Sequence, residues 1–209
     1  VATPDTRTQI LDAAELLFAE HGYRGTSVRA ITKLAGANLA AVGYHFGSKA
    51  ELMAAVVRRV VEPITAAQCA GLDKLLARTP DPPVSELVEA FAGPLFDEMP
   101  DGDEGGARTS RLIVTILSDP AEEARSWTGP AEDSVRERYF AAFARVLPGL
   151  SPEELWFRMR GIFAVTAVDR LQVHQQPSPG CVSPVAGEAA RRWAITFLTA
   201  AMSAPPIRP

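Results

Sequence analysis

The sequence predicts an all-α fold, and two observations carry that expectation. Apolar residues recur at three- and four-residue steps from end to end, the spacing that gathers them on one face of a helix. Sustained alternation of apolar and polar residues between hairpin turns, the mark of a half-buried strand, is not found. With 209 residues, 47% hydrophobic and 22% charged, the chain is long enough to bury one or two cores.

The elements follow in order. A first helix starts near Pro4, a residue suited to a first helical position, and carries Ile10, Ala13, Ala14, Leu17 and Phe18 on one face until Gly22 stops it. Thr26 or Ser27 caps a short helix bearing Val28, Ile31 and Leu34. Gly36 supplies the positive φ of a tight turn, and Asn38 caps the helix that follows. Ser48-Lys49-Ala50-Glu51 is a capping box that opens a long fourth helix over the apolar run Leu52 to Val61. Further helices are expected at 63–78, 84–98, 106–118, 120–127, 130–147, 152–174 and 184–202. Asp119-Pro120-Ala121-Glu122 and Ser151-Pro152-Glu153-Glu154 read as capped starts, and loops 79–83, 99–105 and 175–183 are rich in Pro, Gly and Asp.

Charge and cysteine content narrow the class. The net charge of −4 argues against nucleic acid, but its distribution tempers that. Residues 1–60 hold seven cations and five carboxylates, a net of +2, which leaves −6 for the remainder. Cys69 and Cys181 stand far apart without clustered histidines, so reduced structural thiols are expected, with no disulfide, metal or cofactor. No run reaches the ~18 apolar residues of a membrane span, and a secretory leader is not evident, so a cytoplasmic protein without a membrane partner is expected.

Three short helices with a glycine turn, followed by a lysine at a capped helix start, meet the requirements of a helix-turn-helix. The chain resembles the tetracycline-repressor (TetR) family of bacterial regulators at Arg7, Ile10, Ala13-Ala14, Leu17-Phe18, Gly22-Tyr23, Thr26-Ser27-Val28, Ile31, Ala35-Gly36, Tyr44-His45-Phe46, Ser48-Lys49 and Leu52. That pattern occupies the first quarter of the sequence. The resemblance implies a DNA-binding domain over residues 1–48 and a larger helical domain over 49–209 that dimerises and binds a small effector, whose binding releases DNA. Repression is the implied mode.

Each DNA-contacting candidate has a physical reason and an ordinary alternative. Tyr44 and His45, at the end of the recognition helix, can hydrogen-bond phosphate oxygens, or can be a packed aromatic and a solvated histidine. Lys49 adds charge beside free helix-terminal amides, or is a plain surface lysine. Thr26 and Ser27 can donate to the duplex backbone or simply cap. The recognition helix from Asn38 and Leu39 to His45 has no Arg, Lys or Gln, so Asn38 is its one evident base-edge reader, while Ala40 or Ala41 can touch a thymine methyl. Gly43 stands where the family often has a second aromatic, and costs roughly 1 kcal/mol of helix stability relative to Ala. Specificity is therefore expected from Asn38, from Arg29 on the bracing helix and from DNA shape. A dimer makes the expected operator palindromic.

The last helix is apolar on more than one face, with Ala189, Trp193, Phe197 and Ala200 on one stripe and Ile195, Leu198 and Met202 on another. The preceding helix carries Leu155, Met159, Ile162, Thr166 and Val173, with Gly161 permitting close approach of another backbone. Together they are expected either to form a two-fold dimer interface or to be ordinary core helices. Thr115, Thr166 and Asp169 interrupt apolar stripes, so they either orient an effector or bond within the core; Asp169 can pair with Arg170 or Arg111. Phe91, Phe96, Trp127, Phe143 and Phe163 are candidate pocket walls, or core.

An enzyme is not expected, because the sequence lacks a nucleophile elbow, phosphate loop, HExxH or paired carboxylate motif, and His21, His45 and His174 lie far apart. The rival reading is an effector-binding helical protein that has lost specific DNA binding.

Overall fold

The structure is a computed structural model that describes residues 5–97, 104–118, 130–173 and 188–206; within 104–107, 116–118, 130–132 and 167–173 it describes the backbone alone. The described residues form helices and no strands: α1 (Thr6–Gly25), α2 (Val28–Leu34), α3 (Leu39–Phe46), α4 (Lys49–Arg78), α5 (Val84–Asp97), α6 (Glu104–Ser118), α7 (Pro130–Val146), α8 (Pro152–Val173) and α9 (Glu188–Ser203). The expected helix at 120–127 lies outside the described residues. Described residues within 1–62 and 108–129 form one compact unit, and those within 63–107 and 130–209 form another.

In the first unit, short-range caps set each helix. Among the described residues α1 starts after Asp5, whose carboxylate accepts from the Thr8 N–H at 2.7 Å; Pro4 lies outside the described residues. Gly22 interrupts α1 with φ 68° and ψ 176°, a conformation that side-chain-bearing residues avoid. Gly36, at φ 64°, lets the Ala37 N–H turn back to the Thr32 carbonyl at 2.9 Å and so closes α2. The core joins Ile10, Ala14 and Phe18 of α1 to Ile31 of α2, Val42 and Phe46 of α3, Leu52, Met53, Val56 and Val57 of α4, and Leu112 of α6. This unit therefore runs past residue 48, because the three short helices cannot enclose Phe18 and Phe46 without the first turns of α4.

Polar contacts brace the same unit. Arg59 donates to Asp12 at 2.6 Å and to Glu15, and the Arg108 guanidinium stands 3.7 Å from Glu15. Burial opposes the Arg59 charge, but hydrogen bonds to the two carboxylates outweigh it and hold the guanidinium above its ordinary value.

The expected helix start at residue 63 is absent, since α4 continues through Pro63. Proline there withholds an N–H from the Arg59 carbonyl, at a cost of about 3 kcal/mol in an isolated helix. Tertiary burial on both sides offsets it: Val56 and Val57 lie in the first core, and Ile64, Gln68 and Leu72 are buried in the second unit.

The second unit packs α5 against α7, α8 and α9, around Leu72, Leu87, Phe91, Tyr139, Phe143, Met159 and Leu198. Gly71 lets α4 approach α5 closely, because a Cβ there would stand 3.3 Å from the Ala90 Cβ. The Ser151 oxygen accepts from the Glu154 N–H at 3.2 Å and starts α8 as expected. Arg158 of α8 ties down the end of α9, donating to the carbonyls of Met202 at 2.8 Å, Ala204 at 2.6 Å and Pro205 at 3.1 Å, and to Glu154 at 2.6 Å. Carbonyls at a helix C-terminus have no donor within the helix, and the guanidinium supplies one.

Candidate functional site

The turn into α3 decides which of its side chains face outward. Asn38 is the N-cap, its Oδ1 accepting from the Ala41 N–H at 2.9 Å. Ala41, Val42 and Phe46 point into the core, while Leu39, Ala40, Gly43 and Tyr44 are exposed, Leu39 at 53% and Tyr44 at 87%. Exposing so much apolar surface costs hydrophobic stabilisation, and no core of this unit covers it. Phe46 anchors the far end and has the Arg7 guanidinium 5.2 Å above its ring. Gly47 closes α3 with φ 82°, its N–H donating to the Gly43 carbonyl at 3.0 Å.

The following residues place the cations. Ser48 caps α4 by accepting from the Glu51 N–H at 3.1 Å, and the Glu51 carboxylate lies over Gly47. The Lys49 ammonium sits 4.3 Å from the centre of the Tyr23 ring. Burial there pulls its pKa below the ordinary lysine value. His45 meets the Tyr44 ring edge-on, with centroids 5.0 Å apart. Arg29 and Lys33 of α2 are exposed in the same unit.

Two of the candidate contacts take on a different character. Thr26 is only 3% exposed and its hydroxyl faces the Leu17 and Gly22 carbonyls at 2.9 and 2.8 Å, so it ties down the end of α1 and leaves the surface. Ser27 is the cap of α2, its oxygen accepting from the Ala30 N–H at 3.1 Å, and it stays exposed. Asn38 is exposed and held by its cap. The cap bond uses one of the two lone pairs of its oxygen and fixes the amide at the very start of α3.

The effector-pocket residues are not all brought together. Phe91 and Phe163 meet at 5.2 Å between centroids, and Phe91 lies 4.6 Å from Tyr139. Thr166 is buried in the second unit, but its hydroxyl is satisfied by the Ile162 carbonyl at 2.9 Å. Thr115 belongs to the first unit, near Gly22. Trp127 and the side chain of Asp169 lie outside the described residues. Sequence reasoning missed Gln68 and Tyr139, a buried hydrogen-bonded pair of this core. Gln68 donates to the Phe91 carbonyl at 2.7 Å, and the Tyr139 hydroxyl donates to the Gln68 carbonyl at 2.9 Å. A signal was present, because Gln68 interrupts the four-residue stripe Ile64, Gln68, Leu72.

On α9, Ala190, Ala194, Leu198 and Met202 are buried at four-residue steps, whereas Trp193 at 64%, Phe197 at 59% and Ala200 are exposed. Of the two apolar stripes, the one with Leu198 and Met202 is therefore the inner. On α8, Gly161 has no atom within 4 Å of where its Cβ would be, and it shares a stripe with exposed Phe157 and Ala164. Phe157, 69% exposed, was missed; its spacing of four and seven residues from Gly161 and Ala164 was the signal to find it by. No helix of the described residues is long and apolar enough to cross a membrane.

Comparison with known proteins agrees with this arrangement. Residues 10–56 match the model for bacterial regulatory proteins of the tetR family, and residues 89–201, more than half of the chain, match the tetracyclin repressor-like C-terminal domain. The HTH-type transcriptional repressor AcnR of Corynebacterium efficiens is 42% identical over 62 residues, 28% of this chain and 33% of that protein, so the match spans about a third of its length. The HTH-type transcriptional regulatory protein RaaS of Mycobacterium tuberculosis is 32% identical over 115 residues, covering 55% of this chain and 53% of that one. Among solved structures, the TetR family transcriptional regulator PfmR from Thermus thermophilus superimposes with a TM-score of 0.60 at 21% identity, over 100% of both chains. The multidrug binding protein EbrR complexed with malachite green gives 0.60 at 22%, over 98% of this chain and 100% of that one. The chain belongs to the tetR family of bacterial regulatory proteins.

Proposed function

We propose that this protein is a cytoplasmic, non-enzymatic transcriptional regulator that binds a palindromic operator as a homodimer, represses, and is released by a small-molecule effector. The observation that carries the reading is the outward face of α3, where Leu39, Ala40, Gly43 and Tyr44 are held away from the core by inward Val42 and Phe46. An eight-residue helix displayed in this way fits the major groove. Tyr44, His45 and Lys49 act as phosphate anchors that fix register, Ser27 contributes from the cap of α2, and Arg29 approaches the duplex from the same helix. Residues 1–48, with Lys49 at the start of α4, form the functional DNA-binding portion, and the remainder of 49–209 the effector-binding and dimerising portion.

Dimerisation rests on Trp193, Phe197 and Ala200 of α9 and on Gly161 of α8, to which Phe157 is added. Phe157, Trp193 and Phe197 are exposed aromatics on two helices that pack together, and a second copy related by two-fold symmetry would cover them. We assign the effector site to the second unit near Phe91, Phe163 and Thr166; that an effector is bound is in keeping with the similar EbrR, a multidrug binding protein complexed with malachite green. Selection of genomic fragments by the full chain, followed by a small-molecule screen for release, tests the proposal. Enrichment of one palindromic promoter sequence and its release by a compound class are expected; recovery of no sequence above background overturns DNA binding.

A further inference from the structure

The exposed face of α3 offers no hydrogen-bonding side chain to a base edge except at its two ends. Leu39, Ala40 and Gly43 are apolar or bare, Tyr44 lies in the last turn, and Asn38 stands at the N-cap, its oxygen accepting from the Ala41 N–H at 2.9 Å. The cations of this unit lie on neighbouring elements, Arg29 and Lys33 on α2 and Lys49 at the start of α4. Gly43 is the second observation. Its φ is not positive, and a Cβ built there would meet nothing within 4 Å, so neither backbone conformation nor packing within the chain calls for glycine. A residue that weakens its helix without such a reason fits a position where something outside the chain must come close to the backbone.

We infer that α3 reads its operator through the C5-methyl groups of thymines, which pack against Leu39, Ala40 and the bare backbone at Gly43, in place of hydrogen bonds to base edges. This deepens the proposed function and rests on it. In the major groove the thymine methyl is the one apolar base feature, and it distinguishes T·A from the other pairs without a donor or acceptor. Leu39 supplies the area and Ala40 a shallow contact. Gly43 allows the helix to sit deeper than any side chain there would permit.

The test uses duplexes enriched by the full chain from a randomised library, with each thymine replaced singly by deoxyuridine, which lacks only the methyl. One or two positions per half-site should bind about fourfold more weakly for each methyl removed, the equivalent of burying one carbon. Leu39→Ala should bring the thymine-to-uracil ratio to about one at its own position and leave the others unchanged. Gly43→Ala should raise the thermal midpoint by about 2–4 °C while weakening the enriched duplex tenfold or more, so that lost binding is separated from lost folding. Uracil duplexes bound as tightly as the parent at every position, or Gly43→Ala binding without loss, overturn the inference while the regulator reading stands. A library from which no duplex is enriched overturns both.

Discussion

The helix ends of the first unit are set by neighbours in sequence, whereas polar bonds of the second join residues far apart. In the first, Asp5, Ser27, Asn38 and Ser48 each accept from an amide three residues on, and Gly22, Gly36 and Gly47 take the positive φ at the ends of α1, α2 and α3. In the second, Gln68 reaches Phe91, Tyr139 reaches Gln68, Arg191 pairs with Glu89, and Arg158 holds the end of α9. The difference teaches why one unit displays a recognisable motif and the other does not. Local caps leave a spacing that a reader can find, whereas a bond between residues distant in sequence leaves only a polar residue on an apolar stripe.

Substitutions can break this contrast or sharpen it. The largest effect is expected from Phe91→Ala, which empties a fully buried site between Tyr139 and Phe163 and should cost about 3–5 kcal/mol in denaturant unfolding. Amide hydrogen exchange should show the loss in α5, α7 and α8, with α1 to α3 little changed. An equal loss in α1 to α3 would mean that the two units do not unfold separately. Next comes Tyr139→Phe, which removes the donor to the Gln68 carbonyl and should cost about 1–3 kcal/mol by the same measurement.

Thr26→Val is the counterpart in the first unit. Losing the hydroxyl that serves the Leu17 and Gly22 carbonyls should cost about 1 kcal/mol, with faster exchange confined to α1 and α2. Its DNA affinity should then track the loss of folded protein, as a structural tie requires, and a larger loss of affinity would return Thr26 to the duplex contacts. The smallest effect comes from acid. The Thr8 backbone N–H holds the Asp5 carboxyl below its usual value, so the cap contributes fully above the ordinary carboxylate range and is lost as pH falls through the lowered pKa. The Thr8 amide resonance should titrate with Asp5, and should do so before the bulk of α1 melts.

These effects also mark how far the sequence could be read. Helix order, the glycine turns, Phe46 as core and Tyr44 as surface were legible because periodicity and caps act within one or two turns. Pro63 misled, because proline signals a helix boundary and only burial on both sides of it keeps α4 continuous. Thr26 and Ser27 were indistinguishable as neighbours of equal capping ability, until Gly22 turned the chain and buried one of them. Leu198 and Trp193 were both plainly apolar. Which stripe faced inward depended on where α5 and α8 packed.

The central claim, that the outward face of α3 and the anchors beside it serve a dimeric DNA reader, is tested most directly by the salt dependence of binding to the enriched duplex. The logarithm of affinity should fall linearly with the logarithm of salt concentration, by about 0.9 per phosphate neutralised, with two chains on each duplex. Lys49→Ala should weaken all duplexes alike and lower that slope by about 1 for each chain. Binding that ignores salt, or a Lys49→Ala variant with an unchanged slope, would contradict the account.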